Sequence, residues 1–182
     1  MIKSQLESAF ETYFAEMEMC RKSGCYLALL HIVLVLPDIC AALASPNGEG
    51  GGTAYIKWCN DHLPGALSPT ERWEMRCALL HQGKTLPDSR ARGRYRSFSF
   101  MPPGGAEVHQ IVSADGEQNL TLDVATTAGE IERAINTWFD FVLQPGNGVL
   151  ANVRQNLPTL IKKQPKAIPG HGPLPPTMSS TG

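Results

Sequence analysis

Arg76 and His81 lie five residues apart in the segment Ser68 to Gly83, SPTERWEMRCALLHQG, and together they supply a phosphate-binding cation and a proton-transfer group. Arginine presents a fixed fork of donors to phosphate oxygens and stabilises charge that develops on them. Histidine titrates near neutrality and can take or give a proton. The combination suits cleavage of an RNA phosphodiester, because RNA carries its own nucleophile in the 2′-hydroxyl. Such chemistry calls for no cofactor and no metal. At 3.6 residues per turn the two side chains start about 140° apart around a helix, so the long arginine stem has to reach round. Cys77 and His81 are an i, i+4 pair and share a face.

Other residues are candidates to assist. Asp38 follows Pro37 in a strongly apolar segment, and a buried carboxylate there needs a partner, for which Arg76 or Arg21 would serve. Cys77 and Asp38 are therefore auxiliary candidates. Arg90, Arg92, Arg94 and Arg96 alternate at strand spacing, which puts four cations on one face. They read either as contacts to RNA phosphates or as a solvated ladder. His31 reads as a core histidine, and Trp58 to His62 as a helix end. The plain alternative for the leading pair is structural. A histidine near a helix C-terminus complements the helix dipole, and Arg76 would then pair with an acid such as Glu71, or Glu74 of a neighbouring chain.

The elements that must position these residues are mostly helical. Ser68 and Glu71 form an S-x-x-E capping box, Pro69 fits the first turn, and Gly83 fits the end. Before this helix, Leu6, Phe10, Tyr13, Phe14 and Met17 recur at helical spacing over Ile2 to Lys22. Tyr26 to Leu43 is apolar on both faces and predicts a central core helix. SPNGEGGG (Ser45 to Gly52) reads as a flexible connection, without the Lys-Ser/Thr of a phosphate-binding P-loop. Thr53 to His62 predicts a short helix ended by Pro64 and Gly65. Tyr95 to Met101, Glu107 to Ser113 and Leu120 to Ala125 are strand-like, separated by turn residues, and predict a small antiparallel hairpin or meander. A second capping box, Thr127 with Glu130, predicts a helix from Ala128 to Leu143. Val149 to Lys163 predicts a last short helix broken at Pro158.

The expected architecture is mainly α: a single domain over 1–163, with a β insertion at about 94–125 and a disordered Pro-rich tail over 164–182. The chain has 182 residues, sixteen Lys plus Arg and seventeen Asp plus Glu, for a net charge of −1. That balance excludes binding of nucleic acid by bulk electrostatics and leaves room for a locally basic site. Five cysteines without a CxxC pair read as free thiols of a reducing compartment. Tyr26 to Ala44 approaches the length of a membrane span, but His31, Pro37 and Asp38 interrupt it, and the acidic start of the chain is unlike a signal peptide. The expectation is a cytoplasmic protein with no membrane partner.

RCALLH, Arg76 to His81, fits the R-x4-H motif, and WEMRCALLHQG resembles the HEPN superfamily, whose all-α domains occur in toxins, antiviral defence systems and RNA-processing proteins. The resemblance spans roughly Ser4 to Gly83 and the later helix; the β-rich segment lies outside it. It implies a bundle of four to five helices and a homodimer in which two motif helices face each other and cleave RNA without a metal. Arg76 would hold the scissile phosphate and His81 would act as general acid and base. An antitoxin or defence partner protein is implied with a toxin or defence effector. The position after the arginine, often polar in active members, is Cys77 here. The alternative is a non-catalytic module of the same type that binds or regulates a protein partner.

Overall fold

Helix α2 (Tyr26–Ala44) is the hub of the fold, because its leucines and valines exceed what one face can hold. The computed structural model describes residues 2–65, 67–84, 97–102, 109–114 and 117–160. Around α2 pack α1 (Ile2–Ser23), α3 (Gly52–His62), α4 (Pro69–Gln82), α5 (Val124–Val142) and α6 (Val149–Asn156), the last followed by a 3-10 turn, Leu157–Thr159. Leu29, Leu30, Val33, Leu36 and Cys40 of α2 are essentially inaccessible, as are Ile135, Trp138 and Val142 of α5. Each buried leucine or isoleucine of this kind contributes about 1.5–3 kcal/mol of transfer free energy. Phe10 of α1 meets Phe139 edge-on at 5.2 Å, and Trp58 of α3 meets Trp138 at 6.4 Å, so aromatic contacts tie α1 and α3 to α5.

The described residues thus form a mainly helical fold with a small sheet. By length and composition α2 is apolar enough to cross a membrane, yet half of it is buried inside the molecule. Its C-terminal carbonyls are closed by side chains, Asn152 Nδ2 donating to the Ala44 carbonyl at 2.8 Å and the Ser45 hydroxyl to that of Ala42 at 2.9 Å. Asn156 Nδ2 donates to the carbonyls of Ala42, Leu43 and Ser45 at 3.4, 3.2 and 2.8 Å.

The sheet corrects the expected antiparallel meander. Strands β1 (Ser97–Met101), β2 (Gln110–Ala114) and β3 (Glu117–Asp123) lie in the order β1-β3-β2. β2 and β3 pair antiparallel, but β1 pairs parallel to β3, with Phe98 opposite Leu120 and Phe100 opposite Leu122. Burial explains the order. β3 brings two buried residues to the core, Leu120 and Leu122, where β1 brings Phe98, so β3 takes the centre. β2 carries the exposed Ile111 and takes an edge.

The second helix start is corrected too. α5 begins at Val124, with Asp123 as its N-cap accepting from the Thr126 amide at 2.6 Å. Thr127 instead donates its hydroxyl to the Asp123 carbonyl at 2.8 Å, and Glu130 is drawn elsewhere. Val124 and Ala125 are therefore helical rather than the end of a strand. The expected tail and Arg90, Arg92, Arg94 and Arg96 lie outside the described residues.

Candidate active site

α4 forms where the sequence is most emphatic. The Ser68 hydroxyl accepts from the Glu71 amide at 3.2 Å, and the Glu71 carboxylate accepts from the Ser68 amide at 2.8 Å. Two otherwise orphaned donors are satisfied reciprocally. The helix ends on Gly83, whose left-handed φ of 61° lets its amide and the next reach back to α4 carbonyls.

Arg76 stands at the centre of the site. Its Nη1 donates to His81 Nε2 at 2.9 Å, and its Nη2 donates to Asp38 Oδ2 of α2 at 2.7 Å. The guanidinium also lies over the Trp73 ring, 5.0 Å from the centroid. The stem therefore does reach round the helix to the histidine. Because a guanidinium has no acceptor, the 2.9 Å contact requires a lone pair on Nε2 and leaves the ring proton on Nδ1. His81 is exposed, whereas the Arg76 and Asp38 side chains are only 15% and 21% exposed. Two donor groups of Arg76 are thus engaged, and its buried Nε has no partner among the described residues. Cys77 follows as a half-buried free thiol and makes no side-chain hydrogen bond among the described residues.

The connection before α3 belongs to this site. Gly51 donates its amide to Asp38 Oδ1 at 3.4 Å. A β-carbon at Gly50 would lie 2.6 Å from the same oxygen, and one at Gly52 would lie 3.1 Å from the Trp73 indole. The glycines allow backbone to press against Asp38 and Trp73, so the segment is a fitted wall rather than only a flexible link. Sequence reasoning missed that role. The i, i+3 spacing of Trp73 and Arg76 was the available signal for the stacked pair.

A second polar cluster, also missed, sits one turn earlier on α4. Arg72 Nη2 lies 3.7 Å from Glu130 Oε2 of α5, and His109 Nε2 lies 3.3 Å from Glu130 Oε1. Arg72 is almost wholly buried. Burial opposes the charge on Glu130, but His109, Arg72 and Arg133 outweigh it and hold the carboxyl below the usual glutamate range. The i, i+4 spacing of Arg72 and Arg76 was its only local trace.

Several candidate partners resolve differently from expectation. Arg21 pairs with Glu18 and Glu132, each at 3.3 Å, rather than with Asp38. Glu71 is taken by the cap, and Glu74 is buried within its own chain, so neither is a surface partner for Arg76. Burial and the nearby Glu71 charge push the Glu74 carboxyl upward. His31 is half-buried rather than in the core, with Nδ1 donating to the Leu27 carbonyl at 2.7 Å.

Compared with protein-family models, with curated proteins and with solved structures, the chain matches none.

Proposed function

We propose that the protein is a metal-independent endoribonuclease of the HEPN type, acting as a homodimer in the cytoplasm as a toxin or antiviral-defence effector. The observation that carries the reading is the contact between Arg76 Nη1 and an acceptor nitrogen of the exposed His81. It holds a histidine in its proton-accepting form beside a cation suited to phosphate. In the proposed reaction Arg76 Nη1 turns from His81 Nε2 to the phosphate, the freed Nε2 takes the proton of the 2′-hydroxyl, and the 2′-oxygen attacks phosphorus. The bond from phosphorus to the 5′-oxygen breaks, leaving a cyclic phosphate and a 5′-hydroxyl. Arg76 stabilises the charge on the non-bridging oxygens through donors now spent on His81 or still free. Asp38 and the stacked Trp73 keep the guanidinium close by, and the His81 imidazolium formed in the first step gives its proton to the leaving 5′-oxygen.

The test is cleavage of end-labelled RNAs by the full chain in EDTA. His81→Ala and Arg76→Ala are expected to lower the rate by at least about a hundredfold, the typical share of one acid–base group. Circular dichroism and sedimentation should stay unchanged. Cleavage that persists in either folded variant overturns the assignment. The 2.7 Å pairing of Arg76 with Asp38 favours a second reading, because that arginine is already neutralised. A folded wild-type dimer inert towards a broad set of RNAs would support it: a non-catalytic module binding or regulating a protein partner.

A further inference from the structure

The corner between α1 and α2 brings together two cysteines that the proposed reaction does not use. α1 ends at Ser23, and Gly24 follows with φ of 68°, a conformation that side chains disfavour. The Gly24 amide donates to the Arg21 carbonyl at 3.4 Å, and the Cys25 amide donates to the Cys20 carbonyl at 2.9 Å. This pair of bonds is the Schellman ending of a helix, which folds its sixth residue back over its first and frequently brings their side chains together. Here those residues are Cys25 and Cys20. The path through the 2.9 Å hydrogen bond keeps their α-carbons within about 7 Å, and bond angles shorten it into the range a disulfide spans.

The two thiols are free and differ in access. Cys25 is exposed, and Cys20 is half-buried. Burial pushes the Cys20 thiol up, and charge on Cys25 and on Glu16 would push it further, which places the two sulfurs within electrostatic reach of one another. A shallow apolar depression lined by Gly24, Tyr26, Leu27 and His31 lies against Cys25 and gives a small reagent room to approach. Cys40 and Cys59 make the contrast. Both are buried, and burial takes the Cys59 thiol up to about 12.

We propose that Cys20 and Cys25 form a redox-active dithiol that closes to an intramolecular disulfide by exchange with a low-molecular-weight disulfide of the glutathione class. The Cys25 thiolate attacks one sulfur of glutathione disulfide, that S–S bond breaks, and one glutathione thiolate leaves. The Cys20 thiolate then attacks Cys25 Sγ and expels the second glutathione. Both cysteine protons pass to solvent, and the two electrons reduce the glutathione disulfide to two thiols. Cys25 is the entry point because it is exposed, and Cys20 resolves the mixed disulfide because the turn holds it alongside.

The experiment treats the native full chain with glutathione disulfide, blocks remaining thiols by alkylation, and reads intact mass and a non-reducing tryptic map. Arg21 and Lys22 stand between the two cysteines, so trypsin separates them unless a disulfide holds the peptides together. The wild-type chain is expected to lose two hydrogens, retain no glutathione and give linked peptides that part on reduction. Cys20→Ser is expected to trap one glutathione on Cys25. Retention of glutathione by the wild-type chain without linkage, or free alkylation of both residues after treatment, overturns the proposal. So does a linkage that survives in Cys25→Ser, because Cys40 shares the Cys25 tryptic peptide.

Discussion

One turn of α4 separates two assemblies built from the same three kinds of side chain. Arg72, Glu130 and His109 meet at one, and Arg76, Asp38 and His81 at the other. In the first the carboxylate is central and bridges cation and imidazole, inside a nearly closed site. In the second the arginine is central, and the histidine it holds is exposed. A central carboxylate is engaged by both neighbours inside the molecule. A central arginine has spare donors beside an exposed imidazole whose Nε2 lone pair it holds. The same chemical inventory therefore yields a clamp between helices in one place and a candidate reaction centre in the other.

Breaking the clamp should have the largest effect. Arg72→Met leaves the Glu130 charge with His109 and the more distant Arg133 in a mostly buried site. The loss should be about 3 kcal/mol, the lower end for an orphaned buried partner, because one contact survives. Urea denaturation checks this, and a change within the error of a surface substitution would remove the distinction between the two assemblies. The pH dependence sharpens it. Glu130 is held below its ordinary range, so its charge contributes stability above the ordinary glutamate pKa. That contribution disappears as the pH falls through the lowered folded-state value. Glu130→Gln should flatten this acid-side part of the stability profile measured by denaturant titration at successive pH values.

At the other assembly the effects on stability should be smaller. Gly50→Ala drives a methyl against Asp38 Oδ1 and should destabilise by about 1 kcal/mol, because a short side chain held by an ion pair has little room to yield. Cleavage should fall with it, since Asp38 steadies Arg76. His81→Ala should alter stability by no more than about 0.5 kcal/mol, as expected for an exposed residue. A large thermal destabilisation in that variant would make His81 a structural residue like His109.

What the sequence revealed follows the range of the forces involved. The α4 cap was legible because Ser68, Pro69, Glu71 and Gly83 act within one turn of the backbone groups they satisfy. The need of Asp38 for a cation was legible from its apolar surroundings, but the choice of Arg76 over Arg21 depends on how α2 and α4 pack. The sheet order was hidden because it is settled by competition among three short strands for the buried centre, which Leu120 and Leu122 win. The Thr127–Glu130 signature misled for a related reason. A cap residue four positions earlier, Asp123, started the helix at Val124, and the tertiary pull of Arg72 and His109 claimed Glu130.

Asp123 both closes β3 and caps α5, so strand passes into helix with no residue between. A strand residue advances the chain by about 3.3 Å, and a helical residue turns it by about 100°. The junction therefore gears translation of the central strand to rotation of the helix. A slip of one residue in β3 would swing Glu130 about a quarter-turn off Arg72. Strand pairing thus sets the angular phase of a helix whose carboxylate lies across from α4.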